Sequence, residues 1–267
     1  MQKEHEYFKA NQALWDAKTR VHVKSAFYDL AGFMAGKNTL QKIELEQLPE
    51  LKGLKVMHSQ CHFGQDTLSM QRMGAQCTGI DLSPLAIDTA RDLNTQLGLD
   101  ASFHTCNVYE LDKTLQDTYD LVFTSYGVIG WLPDLKRWAA QLVSRLKPGG
   151  LLHITEFHPM MYMYDWDTKK VSYRYFNNGE PYVEEEEGTY ADKEAKIGLK
   201  EYFWQHSLGD LLSALLHNGL EITTFKEYDY SPYNFFTKEE PRAESEYIFQ
   251  DNGINIPLVF SLNATKK

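Results

Sequence analysis

The chain has 267 residues, 43% of them hydrophobic and 24% charged, an ordinary globular balance with enough length for one large domain carrying an insertion. A formal net charge of -10 leaves no basic footprint for a phosphate backbone, so no nucleic-acid partner is expected. Cys61, Cys77 and Cys106 are too few and scattered for a disulfide framework or a zinc cage.

The first residues lack the apolar core of a signal peptide, and no apolar run approaches the length of a membrane span, so a cytoplasmic protein with reduced thiols is expected. Residues 5–35 carry Tyr7, Phe8, Trp15, His22, Phe27 and Tyr28, too large an aromatic load for a free tail. Asn11 and Trp15 lie four apart and share a helix face, either over a pocket or buried on the domain.

Strands are expected at 55–59 and 76–80, separated by a helix over 67–73 that Gly74 closes. Ser83 and Pro84 open the next helix as N-cap and first helical residue, and it runs to Gly98. Strands at 101–106 and 120–124 follow. An amphipathic helix over 134–146 comes next, with Leu135, Trp138, Leu142 and Leu146 on one face. Lys147-Pro148-Gly149-Gly150 stops it before a strand at 151–157. Such alternation predicts a parallel sheet between helices.

After His158-Pro159 the rhythm changes. Residues 160–200 are tyrosine-rich and alternate in polarity, which predicts an antiparallel insertion with its hairpin turn at Asn177-Asn178-Gly179. The run Glu184–Glu187 reads as a solvated edge or loop. A helix capped by Ser207 and Asp210 ends before Gly219, and strands at 221–228 and 257–262 complete the chain.

The chemistry-bearing segments lie at strand ends. Between the first strand and its helix, Ser59-Gln60-Cys61-His62-Phe63-Gly64 must turn sharply and bring backbone close to a ligand at a helix N-terminus. Asp81 ends the second strand, where a carboxylate either accepts from both hydroxyls of a ribose or caps the following helix. Asn107 ends the third strand and can accept a hydrogen bond through its amide oxygen. Tyr119 to Leu132 forms the fourth strand and its loop, and Leu146 to Leu151 the turn before the fifth.

In order and spacing these segments, across residues 51–157, resemble the class I (Rossmann-like) S-adenosylmethionine-dependent methyltransferases. The copy departs from the family where His58 replaces the usual acid and where Gln60 and His62 replace glycines; Gly64 matches. The resemblance implies an α/β three-layer sandwich with a mostly parallel seven-stranded sheet whose last strand is antiparallel. It implies S-adenosylmethionine as cofactor, with S-adenosylhomocysteine as product, and a small-molecule acceptor. An N-terminal helical lid over 1–45 would close a methyltransferase domain over 46–267, with 160–200 as an inserted cap, dimer contact or surface hairpin, in a monomer or homodimer. The cofactor contacts so implied are Ser59, Gln60, Cys61, Gly64 and Asp66 at the first turn, Asp81, Leu82 and Ser83 at the ribose, Asn107 and Val108 at the adenine, and Ser125 and Tyr126 at the methionine end. Trp15 and Tyr28 would come from the lid.

The donor sulfonium makes its methyl group electrophilic, so a base is needed only if the acceptor must lose a proton. His158, after the fifth strand, is the candidate base, with Glu156 two residues before it on the same side; His158 can equally bond locally. His58, Cys61 and His62 lack a fourth ligand, so no metal is expected, and His206 reads as structural. Two other readings stay open: a protein that binds the cofactor without turning it over, supported by the eroded glycines, and an NAD-dependent oxidoreductase, weakened by the incomplete Gly-x-Gly-x-x-Gly pattern.

Overall fold

A computed structural model of the chain describes residues 2–236 and 241–267, the side chains of Gln2 and Glu186 apart. In chain order the elements are α1 (Gln2–His22), α2 (Leu30–Met34), α3 (Lys42–Gln47), β1 (Lys55–Ser59), α4 (Gln65–Arg72), β2 (Gln76–Asp81), α5 (Pro84–Gln96), β3 (Ser102–Thr105), α6 (Leu111–Thr114), β4 (Tyr119–Ser125), α7 (Leu135–Arg145) and β5 (Leu146–Phe157). There follow β6 (Tyr182–Glu186), β7 (Leu199–Phe203), α8 (Leu208–His217), β8 (Leu220–Tyr228), β9 (Tyr230–Ser231), β10 (Tyr247–Ile248), β11 (Gln250–Asp251), β12 (Ile254–Asn255) and β13 (Val259–Lys266).

Seven strands form one sheet in the order β3-β2-β1-β4-β5-β13-β8. The first five are mutually parallel, and β13 runs antiparallel to both β5 and β8. The Rossmann-like sandwich expected from the sequence is therefore the fold observed. β1 and β4 are buried along nearly their whole length because helices cover both faces, which explains their continuous apolar runs. On one face Trp138, Ala139 and Leu142 of α7 lie in a core with Val122, Leu152 and Leu262; on the other, Leu68, Ile87 and Ala90 of α4 and α5 pack with Val56, Leu121 and Phe123.

The local signals act as read. Ser83 Oγ accepts from the Ala86 amide with Pro84 at the first helical position, and Ser207 and Asp210 form a reciprocal capping box. Two expectations need correction. The Lys147-Pro148-Gly149-Gly150 turn lies inside β5, whose pairing with β4 begins at Leu146 and shifts register before resuming at Leu151. The inserted hairpin turns elsewhere: β6 and β7 pair over Tyr182↔Phe203 to Glu186↔Leu199, joined by residues 187–198. The amide oxygen of Asn177 instead accepts from the Gly179 amide in a tight local loop.

The winding reverses between β1 and β4, and in such sheets ligands bind beyond the carboxyl ends of the strands at that reversal. Helix α1 and the β6–β7 hairpin lie over that end. Asn11 of α1 donates to the Tyr202 carbonyl at 2.9 Å and accepts from the Tyr202 amide at 2.9 Å, so its side chain mimics a neighbouring strand along β7. Gly130 lets β7 close in, since a Cβ there would collide with the Phe203 ring. No helix among the described residues is long and apolar enough to cross a membrane.

Candidate active site

A cavity of about 760 Å³ opens at the carboxyl ends of β1, β2 and β4, roofed by α1, the β6–β7 hairpin and residues 233–235. Its floor is the turn after β1. Gln60 has φ 58° and His62 φ 51°, left-handed values at the two positions where the related motif has glycine, followed by Gly64 at φ 78°. The glycine-like path therefore survives without the glycines, at a cost of about 1–2 kcal/mol for each bulky residue. Contacts offset that cost. Gln60 Nε2 donates to the Val128 carbonyl at 3.1 Å, and the ring of His62 meets His22 Nδ1 through its Nε2 at 2.9 Å. Gly64 is required by packing as well, because a Cβ would meet the Phe103 ring at 2.7 Å.

His58, at the expected acid position, is buried with Nδ1 on Thr67 Oγ1 at 2.8 Å, and burial holds its pKa down at about 3. His62 turns instead to His22, and Cys61 Sγ lies against the His62 carbonyl, so these three side chains do not converge on one point.

At the end of β2, the Asp81 carboxylate accepts from the His62 amide and the Ser83 amide, each at 2.8 Å. It thereby links the floor turn to the α5 start, and each oxygen keeps a lone pair toward the cavity. Burial raises its pKa to about 6 against those amide bonds. Leu82 lines the cavity and its carbonyl accepts from Gln12 of α1 at 2.8 Å. Ser83 does not reach the cavity; besides capping α5 it donates to Asp16 of α1. Asn107 and Val108 line the wall, but the Asn107 amide oxygen already accepts from the Tyr109 amide at 3.0 Å and caps a short 3-10 turn.

Of the remaining implied contacts, Trp15, Tyr28, Gln60, Cys61, Gly64, Asp66, Ser125 and Tyr126 line the cavity, whereas Ser59 is buried behind it. Asp66 accepts from Thr39 Oγ1 at 2.6 Å and lies 3.5 Å from Ser125 Oγ, its pKa raised by burial. Three buried polar atoms of the floor have no protein partner: Ser59 Oγ, Gln60 Oε1 and His62 Nδ1. Buried groups of this kind are normally satisfied, and Gln60 and His62 border the space where a polar ligand would lie.

His158 and Glu156 do not line this cavity. Both His158 ring nitrogens are engaged, one donating to Glu227 at 2.9 Å and the other accepting from the Met160 amide at 3.1 Å. Glu156 accepts from the amides of Val128 at 2.8 Å, Ile129 at 3.1 Å and Phe157 at 2.6 Å, and also from Gly127. Its carboxylate shapes the loop after β4. Asn11 likewise spends its amide on β7 rather than on the cavity.

Sequence reasoning offered the tyrosines of residues 160–200 as one possible cover over the acceptor, but missed Trp166, Tyr233 and Phe235 in the far half of the cavity. There Tyr162, Trp166, Tyr190, Tyr233 and Phe235 join Tyr126 in a nearly continuous aromatic wall, with Tyr126 and Tyr233 rings 5.2 Å apart and Trp166 and Phe235 4.9 Å apart. For Tyr233 and Phe235 the visible signal was the aromatic cluster Tyr230 to Phe236 in the sequence. Glu184 and Glu187 lie on this cavity wall too, with Glu187 still exposed at its rim, in keeping with a solvated edge or loop. Lys18, buried between Trp15 and Trp131, pairs with Glu201 at 3.2 Å.

Residues 56–150 match the model of a family described as "Methyltransferase domain". That span holds β1 to the turn inside β5, with the floor turn, Asp81 and the β4 loop in their expected order. Over that span the chain is similar to the methyltransferase domain family. Over 132 residues the chain is 30% identical to a ubiquinone biosynthesis O-methyltransferase of Xanthomonas euvesicatoria, covering 48% of this chain and 55% of that one. Over 113 residues it is 32% identical to a magnesium-protoporphyrin O-methyltransferase of Rhodobacter capsulatus, covering 41% and 49%. The chain thus spans about half the length of the curated relatives it matches. A solved S-adenosylmethionine-dependent methyltransferase from Mesorhizobium loti has the same fold, with a TM-score of 0.56 and 20% identity over 87% of this chain and all of that one.

Proposed function

We propose that this chain transfers a methyl group from S-adenosylmethionine to a small aromatic acceptor. The observation that carries the reading is one cavity with two unlike ends. One end is polar, with Asp81 and the unpartnered Gln60 and His62 atoms; the other is walled by aromatic rings. The relatives' names as O-methyltransferases support a small molecule as acceptor.

When bound, the cofactor supplies an electrophilic methyl group. Asp81 would accept from the ribose hydroxyls, Gln60 and His62 would meet polar atoms of the donor, and Ser125, Tyr126 and Asp66 would border its methionine end. The N-terminal helix then serves as a lid and the β6–β7 hairpin as a cover, excluding water so that the methyl group meets the intended acceptor. The acidic wall suits neither a nucleic acid nor another polyanion, and three free cysteines fit a reducing compartment such as the cytoplasm.

Calorimetry with S-adenosylhomocysteine tests the donor half. Mass spectrometry of whatever co-purifies, followed by methylation of that compound, tests the acceptor half. Absence of S-adenosylhomocysteine binding to the folded protein would sink the reading.

A further inference from the structure

The methyltransferase reading leaves open what removes a proton from the acceptor, and with His158 and Glu156 engaged elsewhere the sequence-derived base is gone. Resting on that reading, we infer that Tyr126 and Glu44 take the proton of a hydroxyl acceptor, Tyr126 by direct contact and Glu44 as the positioning residue behind it.

Tyr126 is the first residue after β4, at the sheet's winding reversal, and its ring lines the cavity. Its backbone sits at φ 33°, a left-handed value that a tyrosine adopts only under constraint. The constraint comes from three sides. The Tyr126 amide donates to the Thr155 carbonyl at 2.8 Å, the ring packs 5.2 Å from both Phe157 and Tyr233, and the hydroxyl donates to Glu44 Oε2 at 2.9 Å. The phenol oxygen is therefore aimed by the fold, with a lone pair left to accept a second proton.

Glu44 is 1% exposed on α3. The titratable groups that face it are Asp66 from α4, Tyr126 and Tyr233, none of them a cation. Lys42, on the same helix, lies 3.8 Å from Glu246, and β13 presents Asn263, whose amide donates to the Gln47 carbonyl. A buried carboxyl without a cation is costly as mere scaffolding. It has a use if its charge is needed only when a proton arrives. Burial, aided by Asp66, raises its pKa to about 8, close to the working range of a base.

The same surroundings select the acceptor chemistry. The three lysines on the cavity wall are each paired, Lys18 with Glu201, Lys37 with Asp29 and Lys193 with Asp167, which disfavours a carboxylate acceptor. A neutral amine can be methylated without a base, whereas a hydroxyl on a flat ring needs one. In the step, an acceptor oxygen lone pair forms the bond to the methyl carbon, and the carbon–sulfur bond breaks with its electrons on sulfur. The hydroxyl proton passes to the Tyr126 oxygen as the Tyr126 proton passes to the Glu44 carboxylate.

The test uses the full chain with S-adenosylmethionine and catechol, 4-nitrophenol and 2-naphthol as probes, with benzoate and benzylamine for comparison. Calorimetry with S-adenosylhomocysteine runs alongside, so that failure of donor binding is seen separately as failure of the underlying reading. We expect methylation of at least one phenol, with kcat/KM rising toward pH 8. Glu44→Gln should lower kcat by about 100-fold or more and remove that rise, with donor affinity within about threefold of the parent and Glu44→Asp partly restoring both. Tyr126→Phe keeps the ring and should cause a similar loss; it decides the matter if Glu44→Gln fails to fold. Donor binding without methylation of any phenol would overturn the inference. So would phenol methylation whose rate and pH rise survive in Tyr126→Phe.

Discussion

Glu156 shows how a residue that reads as chemistry can be architecture. Its buried carboxylate gathers four amides from the loop after β4 and the end of β5. Hydrogen bonds to a charged group contribute about 1.5–3 kcal/mol each, and orphaned amides cost more. Glu156→Ala is therefore expected to lose at least about 3 kcal/mol of stability in chemical denaturation. A variant as stable as the parent but devoid of turnover would return Glu156 to the chemistry. At this scale the sequence was legible where a side chain acts on backbone a few residues away, as Ser83 and Ser207 do. It was illegible where a side chain reaches across the chain, as Glu156 does to residues 127–129 and His158 does to Glu227. Spacing two apart on a strand told which side they face but not which loop waits there.

Elements with local signals were read nearly to the residue, β1 and β2 among them, because caps and apolar runs lie within a few positions of each other. The roof was not. Tyrosine alternation announced an antiparallel insertion, yet Asn177-Asn178-Gly179 attracted the turn that belongs to residues 187–198, since the pairing of β6 with β7 is fixed by tertiary contact with α1 rather than by a two-residue loop. The α1 attachment gives a test of its proposed role as lid. Trp15 is part-exposed in the cavity, its ring 5.2 Å from His62 and 5.3 Å from Trp131. Trp15→Ala should raise the S-adenosylhomocysteine dissociation constant about tenfold or more, a loss of about 1.4 kcal/mol, while the melting temperature without ligand stays nearly unchanged. A loss of about 3–5 kcal/mol of stability, with normal affinity in the folded remainder, would make Trp15 a core residue instead.

Across the whole molecule, buried titratable groups pull stability in opposite directions, and the signs can be worked out. His22 and His58 have folded pKa values near 3 and His153 near 4, all lowered from 6.5 by burial. Their neutral forms favour the fold fully above 6.5, and that contribution drains away as pH falls toward 3. Glu44, at about 8, and Asp81, at about 6, are raised, so their contribution is complete below their unfolded values and is lost as pH rises through 6 and then 8. Burial lowers four further histidines, His62, His104, His158 and His206, and raises two further carboxyls, Asp66 and Glu156, so below 6.5 seven histidines of the unfolded chain outweigh four carboxyls of the folded one. The melting temperature without ligand should therefore peak at about pH 6.5–7 and fall on both sides, steeply below about pH 4. Donor binding should follow a different curve. Ribose recognition needs the ionised Asp81, so the S-adenosylhomocysteine dissociation constant should rise about tenfold as pH falls from 7 to 5. Asp81→Asn removes that titration and one of two charge-assisted acceptors, so its affinity should be weaker by about 100-fold at pH 7 and nearly flat over the same range. Calorimetry on both proteins at pH 5, 6 and 7 separates the cases. A parent affinity that ignores pH, with Asp81→Asn binding normally, would leave Asp81 as only the link between the floor turn and α5.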